Sequence, residues 1–291
     1  MSSITVGLAG ITGKFGRLLA SKLLQDQNVL LRGYARDPSK VESLIASSPR
    51  VSLFKGEAFD DASIKPFVTG CDVVVCAYLG PDELMIDGQK KLIDACEESA
   101  VARYVASDWA LDYTKLKLGD LFPKDPMIHV RSYLQTKKNV QGVHILIGGF
   151  MDPLLSPFFS VWDPDSKTLR YWGEGTEPWE ATSYANAAEF TAAVIADRSA
   201  VGIQKRLSPS LHLISFEKCF FCWEACKSAD KICCNADLGD RKNVKEIAAT
   251  FQMVYGFQPK LERLGSLEDL KARMYELQAK DPADVFSYMS L

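Results

Sequence analysis

Glycines at positions 10, 13 and 16 stand between an apolar run, Ile4 to Ala9, and leucines at 18, 19, 23 and 24 that recur at helical spacing. A strand that turns straight into a helix aims the first-turn N–H groups, which lack partners inside the helix, at whatever lies in front of them. The helix dipole favours negative charge at that point. Gly10 permits the sharp turn, Gly13 lets the backbone approach a phosphate with no Cβ between, and Gly16 lets the helix lie close to the strand. This spacing serves pyrophosphate binding, so Gly10, Thr12, Gly13, Lys14, Phe15 and Gly16 are assigned to a dinucleotide. The competing reading, ordinary turn glycines, is answered by their place between the first strand and the first helix of an alternating pattern.

The second strand carries the next clue. Dinucleotide sites for NAD place an acid about 20 residues beyond the glycines, on the ribose hydroxyl. Arg36 occupies that place here, and a guanidinium suits a 2′-phosphate through paired charge-assisted hydrogen bonds. Lys40 adds a second positive charge, so the expected cofactor is NADP(H). Asp37 next door keeps NAD in play, and a solvated surface arginine is the other reading of Arg36.

The elements that must position these groups alternate. Strands are expected at 4–9, 29–35, 51–55, 73–77, 103–106 and 143–147, with helical segments between them, including a long helix ending near residue 141. Parallel strands need crossovers, so the pattern predicts an α/β fold: a doubly wound parallel sheet of the Rossmann kind with helices on both faces. Residues 1–150 would form this NADP(H)-binding domain. Pro- and aromatic-rich residues 151–291 would form a smaller substrate-covering region, walled by helices at 216–229, 243–255 and 267–279. Ala77 and Ser107 are counted with the cofactor residues. Asp108 and Trp109, at the end of the fifth strand, should face the ligand crevice, and Phe150 and Trp179 are assigned to substrate with them. The aromatic cluster Tyr171, Trp172, Trp179 and Tyr184 reads equally as core or as the wall of a pocket for a planar ligand.

Composition narrows the partners. The 291 residues carry a net charge of −3, which gives no electrostatic reason to bind nucleic acid. No apolar run reaches the roughly 18–20 residues of a membrane-spanning helix, and no secretory signal opens the chain, so the expectation is a cytoplasmic protein with no membrane partner. The eight cysteines are then expected to stay reduced. Cys219, Cys222, Cys226, Cys233 and Cys234 lack the spacing of a structural zinc site and fit one apolar helix face with Phe216 and Trp223, so no metal is expected.

The glycine loop, the segment Arg36-Asp37-Pro38-Ser39-Lys40 and the run Val101 to Trp109 together resemble the NmrA-like and isoflavone-reductase-like branch of atypical short-chain dehydrogenases. The run ending Ala106-Ser107-Asp108-Trp109 is similar to that family's V-x-R-F-x-P-S-E-F-G, and Gly142-Val143-His144-Ile145-Leu146 to the strand after its catalytic helix. Leu264-Gly265-Ser266 with Leu267-Glu268-Asp269-Leu270 is similar to its C-terminal ending. The resemblance implies NADPH-dependent reduction of small aromatic or phenolic molecules, with a lysine eleven residues before the glycine of that strand. Arg131 stands at this position instead. An arginine can position a substrate or stabilise an oxyanion, but it holds its proton too tightly to cycle as an acid. His129, two residues earlier, is the expected proton source, with a surface or capping histidine as the alternative. Tyr133 and Lys137 match a Tyr-x-x-x-Lys pair, yet Lys137 lies only five residues before Gly142, too far along the helix to serve.

These residues predict an NADPH-dependent reductase of a small aromatic or polyketide-like metabolite, acting on a carbonyl or conjugated double bond, with Arg131 and His129 as catalytic residues. Two other readings stand beside it. One is a dinucleotide-sensing regulator of the NmrA type with a protein partner, which the loss of the lysine favours. The other is a non-redox isomerase, dehydratase or cyclase on the same fold.

Overall fold

The computed structural model describes residues 3–156, 158–205, 240–282 and 284–290. Its strands are β1 (Ile4–Ala9), β2 (Val29–Ala35), β3 (Val51–Lys55), β4 (Val73–Cys76), β5 (Arg103–Val105), β6 (Gln141–Leu146), β7 (Gly149–Phe150), β8 (Trp162–Asp163), β9 (Thr168–Trp172), β10 (Trp179–Thr182), β11 (Gly202–Lys205), β12 (Asp240–Lys242) and β13 (Lys260–Gly265). The helices are α1 (Lys14–Leu23), α2 (Ser43–Ala46), α3 (Asp61–Val68), α4 (Gln89–Glu98), α5 (Asp125–Leu134), α6 (Met151–Leu154), α7 (Tyr184–Ala196), α8 (Val244–Tyr255), α9 (Leu267–Lys280) and α10 (Val285–Met289). The expected helix at 216–229 and the cysteines from Cys219 to Cys234 lie outside the described residues.

The chain divides into two compact units. The first comprises residues 1–146 and 187–205, and the second residues 147–186 and 206–291. This differs from a single boundary near residue 150, because most of α7 and all of β11 return to the first unit. The first unit holds a seven-stranded sheet in the order β11-β6-β5-β4-β1-β2-β3, all parallel. Strand order reverses between β1 and β4, the place where open α/β sheets bind ligands beyond their carboxyl ends. The strands are apolar because helices cover both faces: Val6, Leu8, Val73, Val74, Val75, Val143 and Ile145 are fully buried. Here α5 ends at Leu134, a full two turns before the residue 141 read from the sequence.

Arg103 ties the far side of this unit together. Its guanidinium, buried on β5, donates to the carbonyls of Val194, Ile195 and Asp197 at the end of α7, at 3.3, 2.8 and 2.6 Å. A cation there also answers the negative end of the helix dipole. Cys71, Cys76 and Cys96 are buried free thiols, and burial pushes Cys71 up to about 11 and Cys76 up to about 12.

The second unit contains two three-stranded sheets, β12-β10-β7 and β13-β9-β8. Its core gathers Met151, Val161, Leu169, Ala181, Val244, Ile247, Ala248 and Phe251. No helix among the described residues is long and apolar enough to cross a membrane.

Candidate active site

The glycine loop takes the geometry its sequence demands. Gly10 has φ +84°, and a Cβ there would lie 2.6 Å from the Ala77 carbonyl oxygen. A Cβ at Gly16 would run into the Gly10 carbonyl oxygen. Gly13 is the N-cap of α1, with extended backbone and no side chain to close the cap. Ala77, the first residue beyond β4, is therefore packed against the turn, its N–H bound to Ala9 O at 2.8 Å. Next to it, Tyr78 buries a hydroxyl that has no hydrogen-bond partner among the described residues. A side-chain-free helix cap and an orphaned buried hydroxyl at the same sheet edge both suit a bound dinucleotide.

Beyond β2, Arg36 is exposed and has no hydrogen-bond or ion-pair partner among the described residues. Asp37 is otherwise occupied. It caps the short turn Pro38–Lys40, accepting from the Ser39 hydroxyl at 2.5 Å and the Ser39 N–H at 3.2 Å, with Lys40 3.8 Å away. The Ser39 hydroxyl, foremost, holds the Asp37 carboxyl below its ordinary value. Of the neighbouring pair, the guanidinium is the group left to take a ligand.

Across the reversal point, the chain leaving β5 builds a network of buried side chains. Ser107 donates its hydroxyl to Tyr78 O at 2.6 Å and its N–H to Gln89 Oε1 at 3.0 Å, which locks the ends of β4 and β5 to the start of α4. Trp109 takes a left-handed backbone conformation (φ 33°). Its indole N–H donates to Thr191 Oγ1 at 2.9 Å, and its ring lies 4.5 Å from that of Phe15 in the glycine loop. With its N–H consumed and only 7% of its surface exposed, Trp109 acts as a wall between loop and helix. Asp108 beside it is buried and accepts on one oxygen, Oδ2, from both His144 Nδ1 at 2.7 Å and the Tyr113 hydroxyl at 3.0 Å. Because a carboxylate only accepts, His144 carries its Nδ1 proton toward Asp108. Gly142 makes room for this ring, since a Cβ there would lie 3.0 Å from His144 Nε2. Burial, the Asp108 charge and the hydrogen bond to it push the Tyr113 hydroxyl far above the ordinary tyrosine value.

The two residues expected to do the chemistry are not brought together. Arg131 is half-buried on α5, has no hydrogen-bond or ion-pair partner among the described residues, and acts electrostatically on Tyr113. His129 is exposed about 200° away around the helix and interacts with Asp82, whose carboxyl is raised by burial and by Asp125. The Tyr133 and Lys137 side chains turn toward α4. Both side chains bind Asp94 on α4, at 2.8 and 2.6 Å. Phe150 and Trp179 belong to the second unit. The Phe150 ring lies 4.3 Å from that of Tyr184, while Tyr171 and Trp179 pack on the second unit's core.

Sequence reasoning missed the network that His144 and Tyr113 make with Asp108. A histidine in an otherwise apolar parallel strand needs a buried partner, and that demand points to an acid on a neighbouring strand end. Lys124 ends the turn Phe122–Lys124 and caps α5. Burial holds its ammonium below the usual lysine range, with the Asp108 charge opposing.

Comparisons with known proteins agree with this geometry. Residues 10–145 match the family described as NAD(P)H-binding. Over 112 residues the chain is 33% identical to the isoflavone reductase homolog IRL of Zea mays, a match spanning 38% of this chain and only 35% of that relative. The fold is that of crystalline isoflavone reductase (TM-score 0.71, 18% identity, 94% of this chain and 83% of the other). It is also that of AtPrR2 with NADP+ and (+)pinoresinol (0.72, 17%, 99% and 87%). The leucoanthocyanidin reductase–NADPH complex of Vitis vinifera shares it too (0.68, 16%, 98% and 84%). The resemblance to the isoflavone-reductase-like branch, first drawn from short motifs, therefore holds in the fold.

Proposed function

Starting from a chain whose residues 10–145 are an NAD(P)H-binding domain like those of reductases, we propose that it is an NADPH-dependent reductase of a small aromatic or polyketide-like metabolite, acting on a carbonyl or conjugated double bond. The observation that carries this reading is the seam between the glycine loop and the Asp108 network, made by the rings of Phe15 and Trp109. It joins a phosphate-binding turn to a water-poor cluster of polar side chains, the pairing that reductive chemistry on a bound dinucleotide requires. Gly10, Thr12, Gly13, Lys14, Phe15 and Gly16 hold the pyrophosphate, Arg36 and Lys40 the 2′-phosphate, and Ala77 and Ser107 line the cofactor path. NADP(H) is preferred because Asp37, the group that would favour NAD, is spent on Ser39. When bound, the reduced cofactor supplies a hydride.

In this reading Arg131 polarises the substrate oxygen, a task suited to a guanidinium with no partner among the described residues. The proton comes from elsewhere, since arginine keeps its own; His129 or water is the source the sequence offers, and His129 lies off the Arg131 face of α5. Small aromatic substrates are supported by the relatives: one neighbour in fold is bound to (+)pinoresinol.

The test is to titrate purified protein with NADPH and NADH by cofactor fluorescence, then screen a panel of enones, aromatic ketones and phenolic ketones for NADPH oxidation. Tighter NADPH binding and turnover of at least one compound are expected. Tight NADPH binding with no turnover of any compound would favour the sensing reading instead.

A further inference from the structure

A helix whose first turn must hold an anion works only if that turn is kept from fraying. In α1 the cap is bare: Gly13 offers no side chain to close it, and no acid stands in the first turn. From outside, the turn is held by the Phe15 ring, which lies 4.5 Å from that of Trp109. Trp109 is itself unfavourable to keep in place. A buried indole on a backbone at φ 33° persists only where its surroundings impose it.

Thr191, fully buried on α7, supplies that constraint. Its hydroxyl donates to Ala187 O at 2.7 Å, so what it presents to Trp109 is a lone pair, and the indole N–H donates to it at 2.9 Å. Helix α7 is in turn fixed to β5, since Arg103 on that strand binds the carbonyls of Val194, Ile195 and Asp197 just past Thr191. One end of this chain of contacts is therefore anchored on the strand that Trp109 follows, and the other reaches the phosphate-binding turn. All of these residues belong to the first unit.

We propose that Thr191 is a positioning residue of the dinucleotide site: it sets the Trp109 ring, the ring pins Phe15, and the first turn of α1 stays formed to receive the pyrophosphate. This rests on the assignment of the glycine loop to that group. NADPH and NADH both carry a pyrophosphate, so losing the Thr191 acceptor weakens the two alike, whereas losing a residue that reads the 2′-phosphate separates them.

Thr191→Val keeps the shape of the side chain and leaves the buried indole N–H unpaired, while Thr191→Ser keeps the acceptor. Binding of both cofactors is measured by their fluorescence. Without ligand, hydrogen exchange is followed at the Arg17, Leu18 and Leu19 amides, which helical bonding ties to the carbonyls at the start of α1; that of Arg17 binds Gly13 O at 3.0 Å. In Thr191→Val, exchange at these amides should quicken about 10-fold, and both dissociation constants should rise about 10-fold with their ratio unchanged. Thr191→Ser should stay within about 3-fold of wild type in each measurement. Trp109→Phe has no indole N–H, so adding Thr191→Val to it should change either affinity by less than about 2-fold. Unaltered exchange and affinity in Thr191→Val, or an effect as large in Trp109→Phe as in wild type, overturns the proposal. Should Thr191→Val fail to fold, Trp109→Phe alone decides: equal losses for both cofactors support the proposal, and wild-type affinity overturns it. A wild-type protein that binds neither dinucleotide overturns the loop assignment itself, a failure separate from one confined to Thr191.

Discussion

On the carboxyl edge of the first unit, the glycine loop after β1 and the cluster after β5 are built on opposite plans. At the glycine loop the working parts are backbone and missing side chains, and the cations beyond β2, Arg36 and Lys40, stand in water. Around Asp108 the working parts are side chains, all buried, that hold one another through Oδ2. A phosphate arrives already charged, so N–H groups and exposed guanidinium suffice to grip it. A carbonyl becomes charged only during reaction, and stabilising that change needs fixed groups kept from water. The constant part of the ligand is thus met by geometry, and the reacting part by a preorganised pocket.

If that contrast is right, a methyl group should do more harm at the loop than a lost charge beside it. Gly16→Ala drives a Cβ into the Gly10 carbonyl oxygen. The strained turn should cost about 1–3 kcal/mol in dinucleotide affinity, roughly 10- to 100-fold and toward the upper end, measured by NADPH fluorescence. Arg36→Ala removes the exposed guanidinium without touching the turn. NADPH affinity should fall about 10-fold, as for the loss of one charge-assisted contact, while NADH affinity stays within error. A comparable loss for both cofactors would show that Arg36 does not read the 2′-phosphate.

The same contrast governs what could be read from the chain. The loop was legible because its requirement is compositional: only glycine suits φ +84° at Gly10 or the close approach at Gly16. The six alternating strands were legible for a similar reason, each being a short apolar run. The seventh strand, Gly202–Lys205, was not, since Gly-Ile-Gln-Lys carries one apolar residue and owes its existence to parallel pairing with β6. Helix α7 was passed over although Ala187, Ala188, Thr191, Val194 and Ile195 mark a buried helical face, because alanine-rich sequence shows little contrast between its two sides. The Asp108 network escaped for a stronger reason. Its members are 5, 31 and 36 residues apart, and only the fold brings β5 and β6 side by side. His129 stood out because a histidine's ordinary range lies near neutrality, yet nothing in the sequence shows which side of α5 the ligand meets.

Smaller effects sharpen the contrast on the buried side. Tyr113→Phe leaves Oδ2 of Asp108 with one donor fewer and removes the hydroxyl 3.2 Å from His144 Nδ1. Stability should fall by about 1–3 kcal/mol, read as a lower denaturation midpoint with unchanged NADPH affinity. A loss of cofactor binding of similar size would mean that the two regions are not independent.

The least effect belongs to a partly exposed pair on the same turn. Lys205, at the end of β11, binds Asp112 at 2.6 Å, and this contact, ahead of Thr114, holds the Asp112 carboxyl down at about 2 against the ordinary 3.8. A depressed acid stabilises the folded state above its unfolded pKa and loses that contribution as pH falls through the folded one. The pair should therefore contribute fully above about pH 4 and fade toward pH 2, amounting to about 1 kcal/mol once solvent screening is allowed for. Asp112→Asn should lower the denaturation midpoint at pH 7 and converge with wild type near pH 2. Gly16→Ala, whose damage is steric, should show no such convergence. An Asp112→Asn deficit that persists unchanged at pH 2 would mean that packing rather than charge ties β11 to the turn.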